Sequence, residues 1–98
     1  MKIEEYIDRL DVGCKHYNVK HLYLVGSFAS GENIDGSDID FLVSFNDLTK
    51  DGISDRYFGF LEFLQKELNS KVDLIEESAI KNPFFRDSIN RNKKLIYG

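Results

Sequence analysis

The sequence predicts an α/β (α+β) fold in which helices flank a small mixed β-sheet. Short, β-prone apolar runs alternate along the chain with longer segments whose apolar residues recur every three to four positions, as on one helix face. Glycine and asparagine residues separate several of these segments. With 98 residues, 42% of them hydrophobic, the chain is expected to form a single domain over residues 1–98 around one core.

The predicted elements follow one another in the order α-β-α-β-α-β-α-β. Helices are predicted over 2–17, from about 27 to 31, over 54–69 and over 78–92. Strands are predicted over 21–25, 38–45, 71–76 and 93–97. Pro83 lies near the start of the main part of the last helix, where its missing N–H is tolerated. The apolar run of the 38–45 strand is typical of burial on both faces, so we expect this strand in the centre of the sheet and the last strand at an edge.

Charge and composition limit the classes of partner. The formal net charge of −4 does not favour nucleic acid. The charge is unevenly distributed, because residues 81–98 have a balance of +4 and the rest of the chain −8. This basic tail could contact an acidic partner or triphosphate oxygens, or form an ordinary solvated surface. Its basic residues are Lys81, Arg86, Arg91, Lys93 and Lys94.

Cysteine content and hydropathy indicate the compartment. The single cysteine, Cys14, excludes a disulfide within the chain and a cysteine metal cluster. No apolar run approaches the ~20 residues of a membrane span, and the first residues lack the apolar core of a signal peptide. We therefore expect a cytoplasmic protein that makes no contact with a membrane.

Two aspartates are the strongest candidates for a chemical role. Asp38 and Asp40 flank Ile39 on one predicted strand, so their carboxylates point to the same face. At a separation of about 5 Å and an effective dielectric near 20, their repulsion costs roughly 3 kcal/mol. A bound divalent cation would offset this cost by direct ligation. An exposed Asp-x-Asp pair without any role is the alternative interpretation.

A third aspartate has a similar setting. Asp73 lies between Val72 and Leu74 on the 71–76 strand, and it would join the first two carboxylates if that strand lay beside the 38–45 strand. Three carboxylates can hold two Mg²⁺ ions about 3.5–4 Å apart. One ion would activate an attacking oxygen, and the other would bind a triphosphate and stabilise departing pyrophosphate.

A glycine turn precedes the aspartates. Gly26 follows a strand and precedes Ser27 and a short helix, an arrangement suited to phosphate because the backbone can approach closely and the helix start presents free N–H groups. Ser37, next to Asp38, could donate another hydroxyl or orient a carboxylate. The turn matches neither GxGxxG nor the Gly-Lys-Ser/Thr of a P-loop.

Together these motifs resemble a known signature. Gly26-Ser27-Phe28-Ala29-Ser30-Gly31, followed by Ser37-Asp38-Ile39-Asp40-Phe41-Leu42-Val43, closely resembles that of DNA polymerase β-like nucleotidyltransferases, above all the minimal nucleotidyltransferases that include MntA-type antitoxins. Lys71-Val72-Asp73-Leu74-Ile75 is similar to the third carboxylate strand of that family. The resemblance covers nearly the whole chain.

The resemblance implies both a mechanism and a partner. Asp38 and Asp40 would ligate both Mg²⁺ ions, Asp73 would complete the site and help to activate the acceptor, and Gly26 and Ser27 would hold triphosphate oxygens. Minimal members commonly pair with a HEPN-domain protein. In toxin–antitoxin pairs they transfer AMP from ATP to a tyrosine of the HEPN toxin, an RNase, and silence it.

One departure from the family pattern leaves alternatives open. Ser30 stands where the family often has arginine, which would add a fixed positive charge near the phosphates. A weak or inactive antitoxin that acts by direct binding is therefore one alternative, and transfer to a small molecule, against which the short chain argues, is another. The aromatic cluster Tyr57, Phe58, Phe60 and Phe63 is either core or partly an oligomer interface, with like or unlike chains.

Overall fold

The structure, a computed structural model, describes residues 3–31, 38–46 and 53–98, apart from the side chains of Ser27, Ser30, Ile53 and Ser54. A 3-10 turn over Ile3–Tyr6 leads into helix α1, Ile7–His16, and strand β1, Val19–Val25. The next elements are helix α2, Gly26–Ser30, strand β2, Ile39–Phe45, helix α3, Ile53–Leu68, and strand β3, Val72–Glu76. A 3-10 turn over Glu77–Ala79, helix α4, Pro83–Asn92, and strand β4, Lys94–Tyr97, follow.

The four strands form one mixed sheet in the order β3-β2-β1-β4. Strand β1 is antiparallel to both β2 and β4, whereas β2 and β3 are parallel. The predicted mixed sheet, the inner position of β2 and the edge position of β4 are therefore confirmed. The β2–β3 pair is parallel because α3 returns the chain to the end of the sheet at which β2 begins.

The two faces of the sheet are covered by different helices. Successive side chains of β2 point to opposite faces of the sheet, because side chains alternate along a strand. Phe41 and Val43 face the larger core, which α1 and α3 close with apolar residues such as Leu10 and Phe60. Leu42 faces a smaller cluster. The other members of that cluster are Val25, Ile80 and Ile89, with Tyr23 and Ile75 packed against it. Asp40 lies two residues before Leu42, so its side chain points to the same face of the sheet as Leu42, the face that α4 covers.

The segment before α4 is the main difference from the predicted elements. The helical character predicted over 78–92 falls into two pieces, since a short 3-10 turn ends at Ala79 and α4 begins at Pro83, which starts the main piece as predicted. The residue before proline is driven out of the helical region, and Asn82 has φ −80° and ψ 118°. The side-chain oxygen of Asn82 instead caps α4, accepting the N–H groups of Phe84 and Phe85 at 2.8 and 3.4 Å.

The aromatic cluster on α3 divides between core and surface. Phe60 is fully buried, and Tyr57 and Phe63 are half-buried against the larger core. Phe58 is 63% exposed. Cys14 lies buried on α1, as a small apolar residue of a helix would. None of the helices within residues 3–31, 38–46 and 53–98 has the length and apolar character that a membrane span requires.

Candidate functional site

The parallel pairing of β2 and β3 brings the aspartates together. Asp40 and Asp73 are direct partners in the register, and the N–H of Ile39 donates to the carbonyl of Lys71 at 3.0 Å. Residues paired in this way point to the same face of a sheet. Asp38 immediately precedes β2 and has the parity of Asp40. The strand that carries Asp40 therefore lies beside the strand that carries Asp73, as the sequence predicted.

The electrostatic environment of Asp40 shows that the three carboxylates interact. Asp40 is half-buried, whereas Asp38 and Asp73 are exposed. Burial is the main reason that the pKa of Asp40 is raised above its usual value, and the negative charges of Asp73 and then Asp38 raise it further. Neither of the ion pairs found within the described part of the chain involves these aspartates. Ionisation of Asp40 is therefore less favourable than that of a free carboxyl, and a bound cation would offset this cost.

Gly26 lies against the carboxylate of Asp40. The residue before it, Val25, pairs with Asp40 across the β1–β2 ladder. Gly26 has φ +70°, and a Cβ atom at this position would overlap Oδ2 of Asp40 and lie 3.1 Å from its Cγ. The left-handed backbone and the close approach both require glycine. The turn between β1 and α2 therefore forms one wall of the carboxylate site.

The predicted phosphate-binding serines are placed only in part. Ser27 lies in the first turn of α2, directly after Gly26, but its side chain lies outside the described part of the structure. Ser37 also lies outside the described residues, and so does the side chain of Ser30. The first N–H groups of a helix have no partner within the helix, so α2 offers donors beside the carboxylates.

The donor set fits a hard divalent cation in chemistry. Three neighbouring carboxylates offer the oxygen ligands that Mg²⁺ prefers, and the shifted pKa of Asp40 shows an uncompensated negative charge. Within residues 3–31, 38–46 and 53–98, however, no three side chains of His, Cys, Asp or Glu already converge as ligands of one ion. Asp38, Asp40 and Asp73 are thus neighbours by register, and their joint ligation of metal is a proposal.

Tyr57 is a neighbour of the site that the sequence had suggested only as part of an aromatic cluster. Its hydroxyl donates a hydrogen bond to the carbonyl oxygen of Leu74, the residue after Asp73. Burial raises the pKa of Tyr57, and the charges of Asp73 and Glu76 add to this shift. This contact could not be predicted from the periodicity of the sequence, because the contact depends on how α3 packs beside β3.

The basic residues differ in their relation to the site. Lys71 is exposed and directly precedes β3, at the end of the sheet where Asp73 lies. Arg86 donates to the carbonyl of Ile80 at 3.0 Å, and Nζ of Lys93 lies 4.3 Å from the ring centre of Tyr23. The last two contacts bind side chains of the basic tail to their own domain.

The histidines and a surface cavity lie away from the carboxylates. His21 pairs with Ser44 at the far end of β2 from Asp40. A cavity of about 290 Å³ lies between α1 and α3, on the opposite face of the sheet from Asp40. Its lining residues are Tyr17, Gly59, Glu62, Phe63 and Lys66. We place the candidate site at the carboxylates, because they combine clustered charge with a close backbone turn.

Known proteins resemble this chain over most of its length. Residues 2–96 match the family described as "Nucleotidyltransferase domain". Two proteins of Methanocaldococcus jannaschii, both with the provisional name protein adenylyltransferase, are 42% and 41% identical over 81 residues. Each alignment covers 83% of this chain and 78% of the relative.

Solved structures share the fold at lower identity. A minimal nucleotidyltransferase superposes with a TM-score of 0.76 at 24% identity, covering 96% of this chain and 95% of the other. A toxin–antitoxin structure with AMP-PNP gives a TM-score of 0.73 at 20% identity, with 94% and 73% covered. A complex of the tri-AMPylated Shewanella oneidensis HEPN toxin with its MNT antitoxin gives 0.69 at 17%, with 99% and 73% covered. The predicted fold is thereby confirmed.

Proposed function

Because the chain belongs to the nucleotidyltransferase domain family, we propose that it transfers AMP from ATP to a hydroxyl group of a protein. The observation that carries this proposal is the direct pairing of Asp40 with Asp73, with Asp38 and the Gly26 turn alongside. This arrangement combines clustered negative charge with a backbone turn that phosphate oxygens can approach.

The three aspartates have complementary proposed roles. Asp38 and Asp40 hold Mg²⁺, and Asp73 completes the site with its exposed carboxylate. Two Mg²⁺ ions, when bound, neutralise the triphosphate and the departing pyrophosphate. Gly26 and the first turn of α2 donate backbone N–H groups to phosphate oxygens, and the hydroxyls of Ser27 and Ser37 add donors.

The proposed reaction is an in-line displacement at the α-phosphorus of ATP. The acceptor oxygen forms a bond to phosphorus while the bond to the bridging oxygen of the β-phosphate breaks, and pyrophosphate leaves with the electron pair. The carboxylate of Asp73 takes the proton of the acceptor hydroxyl. Asp73 suits this role better than Asp40 because it is exposed, whereas Asp40 is half-buried against Gly26.

We propose that the acceptor is a HEPN-domain toxin and that this chain is its antitoxin. The provisional name of the curated relatives, protein adenylyltransferase, supports a protein acceptor. The AMPylated HEPN toxin bound to an MNT antitoxin of the same fold supports the class of partner. Silencing would follow from modification of the toxin by AMP.

The test uses α-labelled ATP, Mg²⁺ and a HEPN-domain protein from the genome that encodes this chain. We expect label on the HEPN protein, and loss of that label with Asp38→Asn and with Asp40→Asn. Asp8→Asn is the matched control, because Asp8 is an exposed carboxylate on α1, on the other face of the sheet, and its removal should leave labelling unchanged.

Two outcomes would redirect the proposal. Labelling that persists in Asp38→Asn and Asp40→Asn would contradict the role of the carboxylates. An Asp38→Asn/Asp40→Asn chain that labels nothing and still neutralises its partner would favour an antitoxin that acts by contact, as the serine at position 30 suggests. Label on small acceptors instead of protein would favour a small-molecule transferase.

A further inference from the structure

Tyr57 is the residue outside the carboxylate site whose contacts bear most directly on it. It lies on α3, its ring packs edge-on against Phe58, and its side chain is half-buried. Its hydroxyl donates to the carbonyl of Leu74, one residue beyond Asp73. A tyrosine with its ordinary pKa of about 10 is already a hydrogen-bond donor at neutral pH, and burial raises the pKa of Tyr57 further.

The register of the sheet shows which edge of β3 this hydrogen bond reaches. The carbonyl of Lys71 accepts the N–H of Ile39, so Lys71 directs its peptide group toward β2. In a parallel ladder, alternate residues direct their peptide groups to the same neighbour, so Asp73 also faces β2 and Leu74 faces away. β3 is the terminal strand of the sheet, and no strand of the described residues pairs with its outer edge. Tyr57 therefore donates a hydrogen bond to the outer edge of β3, while β2 forms hydrogen bonds with its inner edge.

We infer that Tyr57 is a positioning residue that fixes β3, and with it the carboxylate of Asp73, beside Asp40. The need for such support follows from charge: Asp40 and Asp73 are paired and repel each other, and a five-residue edge strand with one neighbour can yield to that repulsion. The hydrogen bond from α3 opposes this displacement. This inference rests on the proposed function, because the role of Asp73 in metal binding is itself proposed.

Tyr57→Phe separates this role from packing. The change removes one oxygen and leaves the ring in the core, so the chain should remain folded. Tyr17→Phe is the matched control: Tyr17 is another half-buried tyrosine of the same core cluster. It lies at the opposite end of the sheet, where the carbonyl of Asn18 accepts the N–H of Asn46, far along β2 from Asp40.

The experiment titrates the full chain with Mn²⁺ alone, as a paramagnetic substitute for Mg²⁺, and measures bound metal by electron paramagnetic resonance. We expect Tyr57→Phe to weaken Mn²⁺ affinity by about 10-fold, the smaller of the losses that follow removal of a group that orients a metal ligand. Amide exchange of Asp73 and Ile75 should accelerate. In the labelling assay kcat should fall about 10-fold, with KM for ATP changed by less than about twofold.

A purely structural role predicts a different pattern. Tyr57→Phe would then lower the unfolding temperature without changing Mn²⁺ affinity at temperatures where both chains are folded, and this result would overturn the inference. Equal changes in Tyr57→Phe and Tyr17→Phe would overturn it as well. If the wild-type chain binds no Mn²⁺ and labels no acceptor, the proposed function fails and the inference with it, whereas an active wild type with an unaltered Tyr57→Phe refutes the inference alone.

Discussion

The carboxylate of Asp40 occupies the space that a side chain at Gly26 would need. This relationship joins the turn after β1 to the start of β2, because Val25 and Asp40 are partners across the antiparallel ladder. The positive φ of Gly26 directs the first turn of α2 past the carboxylate. The backbone turn proposed to bind phosphate and the carboxylate proposed to bind metal are thus parts of one packed unit.

Gly26→Ala should impair both stability and activity. The left-handed backbone costs about 1–2 kcal/mol for a residue with a Cβ, and overlap with Asp40 must displace either α2 or the carboxylate. We expect a loss of about 2 kcal/mol in the free energy of unfolding and at least about a 10-fold loss of transfer. Urea unfolding and nucleotide labelling measure the two effects.

Gly31→Ala is the control for that experiment. Gly31 has φ +80°, but a Cβ atom there would meet no atom of the described residues within 4 Å. It should therefore show the backbone cost without the loss of transfer. Similar losses of transfer in both variants would mean that the contact with Asp40 is unimportant.

Asp40→Asn should stabilise the metal-free chain at neutral pH while abolishing transfer. The pKa of Asp40 is raised in the folded state, so its contribution to stability is fully present below its unfolded pKa of about 3.9 and is lost as pH rises through the folded value. Removal of the charge should therefore raise the free energy of unfolding at pH 7.

The measurement is urea unfolding with a chelator at pH 7 and near pH 3. The stabilising effect of Asp40→Asn should disappear at the lower pH, where the wild-type carboxyl is protonated. The exposed Asp8→Asn should change stability by less than about 0.5 kcal/mol. A less stable Asp40→Asn at pH 7 would show that the carboxylate is compensated by a partner within the protein.

Divalent cations should raise the unfolding temperature of the wild-type chain. A ligand that binds only the folded state contributes about 2.7 kcal/mol when its concentration is 100 times its Kd. We expect Mg²⁺ or Mn²⁺ to raise the unfolding midpoint in a concentration-dependent way, and a chelator to reverse the change. Asp73→Asn should weaken this response. Equal responses of wild type and Asp73→Asn would exclude Asp73 from the metal site.

Gly13→Ala should destabilise the fold with no direct effect on the site. A Cβ atom at Gly13 would overlap the ring of Phe63 where α1 packs on α3. Overpacking of this kind costs about 1–3 kcal/mol. Thermal unfolding measures the loss, and transfer should stay near the wild-type rate at temperatures where the variant is folded. Val12→Ala, at a position 66% exposed on the same helix, should be within about 0.5 kcal/mol of wild type.

Local patterns account for the parts of this protein that the sequence predicted well. The helix periodicity around Leu10, the apolar run of β2 and the break at Asn69 act over a few residues and need no distant contact. Asn69 has φ +47°, as expected of a residue that ends a helix in the left-handed region. The helical character predicted over 78–92 is interrupted at residues 80–82, because Pro83 and the cap at Asn82 begin a new helix there.

The sequence by itself determined that Asp38 and Asp40 have the same parity on either side of Ile39, because the alternation of side chains is a local property of the backbone. It also determined the glycine turn ahead of them. In the structure β2 begins at Ile39, one residue after Asp38. Only the tertiary structure decided that Asp73 is the partner of Asp40, that Gly26 abuts its carboxylate and that Tyr57 reaches Leu74. These contacts join residues 14 or more positions apart, and strand order and helix packing, which balance burial over the whole chain, determine them.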